Sequence, residues 1–128
     1  MTVVEFRGFP DGVVEYGIAL RSAVAEVIRR HRLQIVITSN FRDTLDGQSL
    51  NQADHIATGR AVVDAVRDAG NRWVFSDQLT DGLQLWNGVR AVWASSSPQS
   101  NRAVDSASSF DAGVASLEAH RAYIAGFG

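Results

Sequence analysis

The 128-residue chain contains no cysteine and no lysine; its 12 basic residues are all arginine, and it has three histidines. Without thiols, disulfides and thiolate zinc sites are impossible. Without lysine amines, Schiff-base and lysine-nucleophile routes close as well. Any metal would be held by imidazole and carboxylate. The adjacent pair Asp54-His55 is the main candidate for such chemistry. An imidazole at a helix start can present a ring nitrogen to a ligand, and a neighbouring carboxylate can tune the site. The plain alternative is a polar surface histidine. One histidine is not a catalytic zinc site, which needs three protein ligands and an open position. Asp11 lies in Pro10-Asp11-Gly12, where turn formation competes with any chemical role. His120 falls between Leu117 and Ile124 at helical spacing and reads as a half-buried helix histidine bonded to backbone or water. Arg29-Arg30-His31-Arg32 could form a phosphate patch, but in a chain of net charge -2 it reads as a solvated helix end. Asp43 and Asp46 read as loop solvation, and Trp73, Phe75, Trp86 and Trp93 as core or cover. No nucleophile elbow, phosphate loop or dinucleotide fingerprint is present.

The elements that must position these residues follow from composition and periodicity. A hydrophobic fraction of 45% with 20% charged residues excludes disorder as the overall state and fits one domain over residues 1–128. Twelve arginines against 14 acids give no basic excess, so no nucleic-acid partner is expected. No apolar run is long enough for a membrane span. Residues 1–10 lack the basic-then-apolar layout of a signal peptide, so a cytoplasmic location is expected.

Residues 3–6 form a short β-prone run that ends at the Pro-Asp-Gly turn. Tyr16, Leu20, Val24, Val27 and Ile28 then recur at helical spacing. The cations at 29–32 suit the negative end of that helix's dipole. Residues 33–38 (LQIVIT) are nearly continuous apolar sequence rich in β-branched residues, which predicts a strand buried on both faces. Residues 39–52 are polar and read as a loop at the C-terminal end of that strand. A second helix is expected over 53–69, with Ile56, Val62, Val63 and Val66 inward and Gly70-Asn71 as its stop. Residues 89–94 form the next strand, and 103–105 a further short one. Ser106, Ser108 and Ser109 offer caps to a last helix carrying Phe110, Val114, Leu117 and Ile124. Alternating strands and helices argue for an α/β fold with a mostly parallel sheet. Ligands of such sheets sit beyond the C-terminal strand ends, where the long 39–52 loop lies.

Four segments share a further pattern in order: Gly8-Phe9-Pro10-Asp11-Gly12; Ser49-Leu50-Asn51-Gln52-Ala53-Asp54-His55; Gly70-Asn71-Arg72-Trp73-Val74-Phe75; and Ala115-Ser116-Leu117-Glu118-Ala119-His120-Arg121. Together they resemble the PIG-L (LmbE-like) family of zinc-dependent N-deacetylases, in its actinobacterial form, over nearly the whole chain. The resemblance implies a Rossmann-like three-layer αβα fold and hydrolysis of the acetamide of an N-acetylglucosamine-type, small-molecule amino-sugar substrate. It implies zinc as cofactor, with a metal-bound water as attacking group and an aspartate as base. His55 matches the metal ligand that closes the family's H-P-D-H motif, and Asp54 stands beside it. Gln52 occupies the place of that motif's first histidine, which helps stabilise the oxyanion; a glutamine donates a hydrogen bond but carries no proton. Asp11 matches the substrate-binding aspartate of the family's Gly-x-x-Asp-Gly turn. The A-H-P-D-D-E motif, source of the other two ligands and the base, is nowhere in the chain. Arg121-Ala122 stands where many relatives have Arg-Ser-Gln. The chain therefore matches the C-terminal two-thirds of such an enzyme, without the fold's first strands. The 33–38 strand would then have an unpaired edge, which predicts a homodimer or a complementing N-terminal fragment. The alternative is a non-catalytic remnant or split subunit that binds a ligand or partner chain without hydrolysis. A third reading, a small nucleotide- or phosphate-binding α/β domain unrelated to deacetylases, calls for a Gly-rich strand-to-helix loop, and the chain has none.

Overall fold

A computed structural model describes residues 3–127, with the side chain of Phe127 left aside. The order is α1 (Ile18–His31), β1 (Ile35–Ser39), α2 (Ala53–Ala69), α3 (Ser76–Thr80), β2 (Ala91–Ser95), α4 (Phe110–Glu118) and α5 (Arg121–Ile124), with single 3-10 turns before α4 and after α5. The chain is α/β: β1 and β2 pair in parallel from Ile35 opposite Ala91 to Ser39 opposite Ser95, and α2 and α3 lie between them in sequence. Parallel strands need such a crossover, since no tight turn can join their ends. Among the described residues, no helix is long and apolar enough to cross a membrane. The reading of residues 1–10 falls partly on Met1 and Thr2, which lie outside the described residues.

The core forms where α1 and α2 pack together over one face of the sheet. Ala25 and Ile28 of α1 meet Val62, Ala65 and Ala69 of α2 and Val36 of β1, and Leu33, Val66, Phe75, Trp86 and Val92 close around them. Buried alanines recur every four residues along α2, at 57, 61, 65 and 69. That spacing puts them on one helix stripe, and their small side chains let α1 come close. The expected inward face of α2 is thus only partly right. Val62 is buried and Val66 packs on the core, whereas Val63 is exposed.

The β1 expectation needs a larger correction. Its burial alternates: Val36 and Thr38 are buried, whereas Ile35 is 50% and Ile37 66% exposed. The helices cover one face, and period-two geometry sends alternate side chains to the other. Trp93, opposite Ile37, is also exposed there.

Residues 3–6 form no strand, because no described neighbour pairs with them. Instead, Glu5 pairs with Arg30 and His31, and Arg7 with Glu26, which ties the segment to α1. Residues 103–105 form no strand either. The last helix is broken at Ala119-His120 into α4 and α5, and the expected stripe Phe110, Val114, Leu117 and Ile124 faces solvent. His120 is exposed, with its Nδ1 at 2.9 Å from the Ser116 carbonyl.

The cationic end of α1 is also not simply a solvated helix end. Arg29 is 2% exposed. Its Nε donates to the Ala69 carbonyl, Nη2 to those of Asp68, Asn71 and Val74, and Nη1 to the Phe75 carbonyl and Gln78 Oε1. The last carbonyls of a helix have no partner within it, and at the end of α2 the planar guanidinium joins the Asn71 and Trp86 N–H groups in serving those of Asp68 and Ala69. Beside it, Arg21 holds the buried Asp68 through a bidentate pair of 3.0 and 2.8 Å. Arg32 lies 5.2 Å over the Trp86 ring.

Candidate functional site

The Asp54-His55 pair falls in the first turn of α2, as its spacing predicts. Asp54 is buried and His55 is exposed. Asp54 Oδ2 accepts a 3.0 Å hydrogen bond from the backbone N–H of Gly12. Its Oδ1 accepts one from the N–H of His55, also at 3.0 Å. A carboxylate is favoured at a helix N-terminus, where free N–H groups and the helix dipole converge. The same carboxylate anchors the Pro-Asp-Gly turn, in which Gly12 takes φ +78, open to glycine at little cost. Two candidate segments 42 residues apart are thereby brought together, with Asp11 exposed on the turn. Gln52 caps α2 with its backbone, accepting from Ile56, and is exposed.

The 39–52 loop is ordered by its own polar side chains. Thr44 and Leu50 form an antiparallel bridge. Asn40, only 3% exposed, accepts from the Arg42 N–H and donates to the Thr44 carbonyl. Asn51 donates to the carbonyls of Asn40 and Arg42, which ties the start of the loop to its end beside α2. Asp46 is a turn-former: it accepts from the N–H groups of Ser49 and Gln48 and from the Ser49 hydroxyl, which hold its carboxyl at a pKa of about 2. Asp43 stands 3.7 Å from Arg60. Gly59 lets this loop cross α2 closely, since a Cβ there would lie 2.7 Å from Phe41 Cβ.

Zinc chemistry finds little support in this ligand set. Among the described residues, no group of three or more His, Asp or Glu side chains could hold a metal ion. His55 brings one imidazole, and these residues by themselves do not fit a zinc centre.

A second feature lies where the sequence placed ligand binding, though its residues were not singled out for that role. The C-terminal ends of β1 and β2 open on a cleft of about 500 Å3 whose walls include Arg42, Trp93 and Arg102. Neither Asp54 nor His55 lines it. Its one legible signal was position, beyond the ends of parallel strands; Arg42 and Arg102 lie 60 residues apart, and only the β1–β2 pairing joins their loops. Of the four aromatics read as core or cover, Phe75 and Trp86 pack on the core, whereas Trp73 is 83% exposed. No known family model matches this chain, and no curated protein matches it.

Proposed function

We propose that this chain carries part of the site of a PIG-L (LmbE-like) N-deacetylase acting on the acetamide of an N-acetylglucosamine-type substrate, with zinc completed by groups outside its residues. The observation that carries this reading is the hydrogen bond from Gly12 to Asp54. It joins the turn to which the resemblance assigns substrate contact, through Asp11, and the helix start to which it assigns metal ligation, through His55. Asp54 positions both. Gln52, exposed at the same helix start, offers an amide N–H to the substrate oxygen. The base and two further ligands belong to an A-H-P-D-D-E segment. Adding the strand that bears it, and a layer over Ile35 and Ile37, would build the three-layer Rossmann-like arrangement.

The test is to mix the purified chain with a polypeptide bearing an A-H-P-D-D-E strand from a PIG-L enzyme, then measure zinc per chain and amine release from N-acetylglucosamine compounds. The expected result is about one zinc per complex, with amine release, both lost in His55→Ala. Unchanged zinc binding in His55→Ala would refute the assignment.

A second reading, a subunit that binds a partner chain without hydrolysis, is favoured by the apolar sheet face of Ile35, Ile37 and Trp93. A two-stranded sheet has two edges, and unpaired edges invite pairing with another chain. The partner in this reading is a second copy or a complementing N-terminal fragment. A monomeric mass by light scattering at high concentration would exclude the homodimer.

A further inference from the structure

We propose that the cleft at the C-terminal ends of β1 and β2 binds a nucleoside monophosphate, its phosphate on Arg42 and Arg102 and its base on Trp93. The site uses none of the residues assigned to deacetylation and does not rest on that reading.

Position is the first argument. Open parallel sheets bind their ligands beyond the carboxyl ends of the strands, and this cleft lies between the segments that leave those ends. Size is the second. About 500 Å3 falls within the range of small-molecule sites and accommodates a mononucleotide.

Charge is the third. Two arginines line the cleft and no carboxylate does. The chain as a whole carries net charge -2, so this is not a sample of a generally basic surface. Among the described residues, neither guanidinium has a carboxylate partner that would compete for an anion. Arg42 lies over the Phe41 ring at 5.5 Å. Its side-chain N–H groups make no hydrogen bond among the described residues. Arg102 spends one donor on the Asn101 carbonyl and keeps the rest. A planar fork of N–H groups matches phosphate oxygens two at a time.

The remaining lining selects what carries the phosphate. Trp93 is 43% exposed, which leaves part of its indole open to a flat ring. A nucleobase offers such a ring, and stacking on an aromatic side chain is favourable for any base. Gln99 and Asn101 add side-chain amides, each both donor and acceptor, suited to base edges and ribose hydroxyls. A bare phosphate would leave the indole and the amides unused.

The experiment is calorimetric titration of the full chain with AMP, adenosine and inorganic phosphate, with tryptophan fluorescence as a second readout. The expected result is AMP binding in the micromolar to low-millimolar range that weakens with salt, and at least tenfold weaker binding of adenosine and of phosphate. Arg42→Gln and Arg102→Gln should each weaken AMP binding at least tenfold, and Trp93→Leu should remove the AMP-dependent quenching. Equal binding of AMP and adenosine would overturn the phosphate assignment, and equal binding of AMP and phosphate the stacking assignment. No AMP binding at 10 mM would overturn the site. These comparisons use the unaltered protein, so they hold even if a variant fails to fold.

Discussion

Replacing Arg29 by methionine removes a buried cation that holds the end of α2 and the segment after it. The five N–H groups of the guanidinium serve six acceptors, so one N–H is shared. Three of those bonds, to the carbonyls of Asp68 and Ala69 and to Gln78 Oε1, are fully buried. The Asp68 carbonyl keeps the Asn71 N–H and the Ala69 carbonyl keeps the Trp86 N–H, so of the three only Gln78 Oε1 loses its sole donor, at about 1–3 kcal/mol. Methionine keeps the apolar contacts of the arginine stem and recovers part of this. Loss of the charge-assisted bonds to the carbonyls adds to the orphaned Gln78 oxygen, and the net expectation is about 2–4 kcal/mol. Burial weakens the hold of Arg29 on its proton, and Asp68 and Asp77 oppose that shift. An arginine stays charged under such pressures, so the unaltered chain holds a buried cation here. Urea unfolding followed by circular dichroism measures the loss, and the melting midpoint should fall by more than about 5 °C. Arg30→Met is the control: its partners Glu5 and Glu26 lie at the surface, and the loss should stay under about 1 kcal/mol. A loss under about 1 kcal/mol for Arg29→Met would refute the reasoning.

Gly59→Ala improves helix propensity by about 1 kcal/mol, yet it should destabilise by about 1–3 kcal/mol net of that gain. The new Cβ would meet Phe41 Cβ at 2.7 Å and the Ser39 carbonyl oxygen at 3.0 Å, and denaturant unfolding reads the sign directly. The Asp46 carboxyl is held down from 3.8 to about 2, so its contribution to stability is present above the usual carboxylate range and is lost as pH falls toward about 2. Its carboxyl resonance should therefore titrate near pH 2, and a midpoint near 3.8 would show that the Ser49 and Gln48 hydrogen bonds do not form in solution.

Local chemistry made several elements legible. The apolar stripe with its cationic end marked α1, and Gly70-Asn71 marked the stop of α2. The β-branched run marked β1, and a polar stretch marked the loop that follows it. The meeting of Asp54 with the Pro-Asp-Gly turn was not legible, since residue types alone left both as ordinary surface groups. Arg29 could not be told from Arg30 or Arg32 in one dimension. Its burial depends on facing a helix end 40 residues away, and that is settled by the angle at which α1 meets α2.

What the sequence by itself determined is the order and type of the main elements, because periodicity and capping act over a few residues. It also excluded thiol and lysine chemistry by composition. What tertiary structure decided is which faces are covered and which distant residues meet. An apolar strand is buried on both sides only when layers exist to cover it, and the helices here cover one side. The carboxylate-free cleft arises in the same way, since parallel pairing of β1 with β2 brings Arg42 and Arg102 to one wall-lined space. Register and layer count are properties of contacts between segments, and no local pattern encodes them.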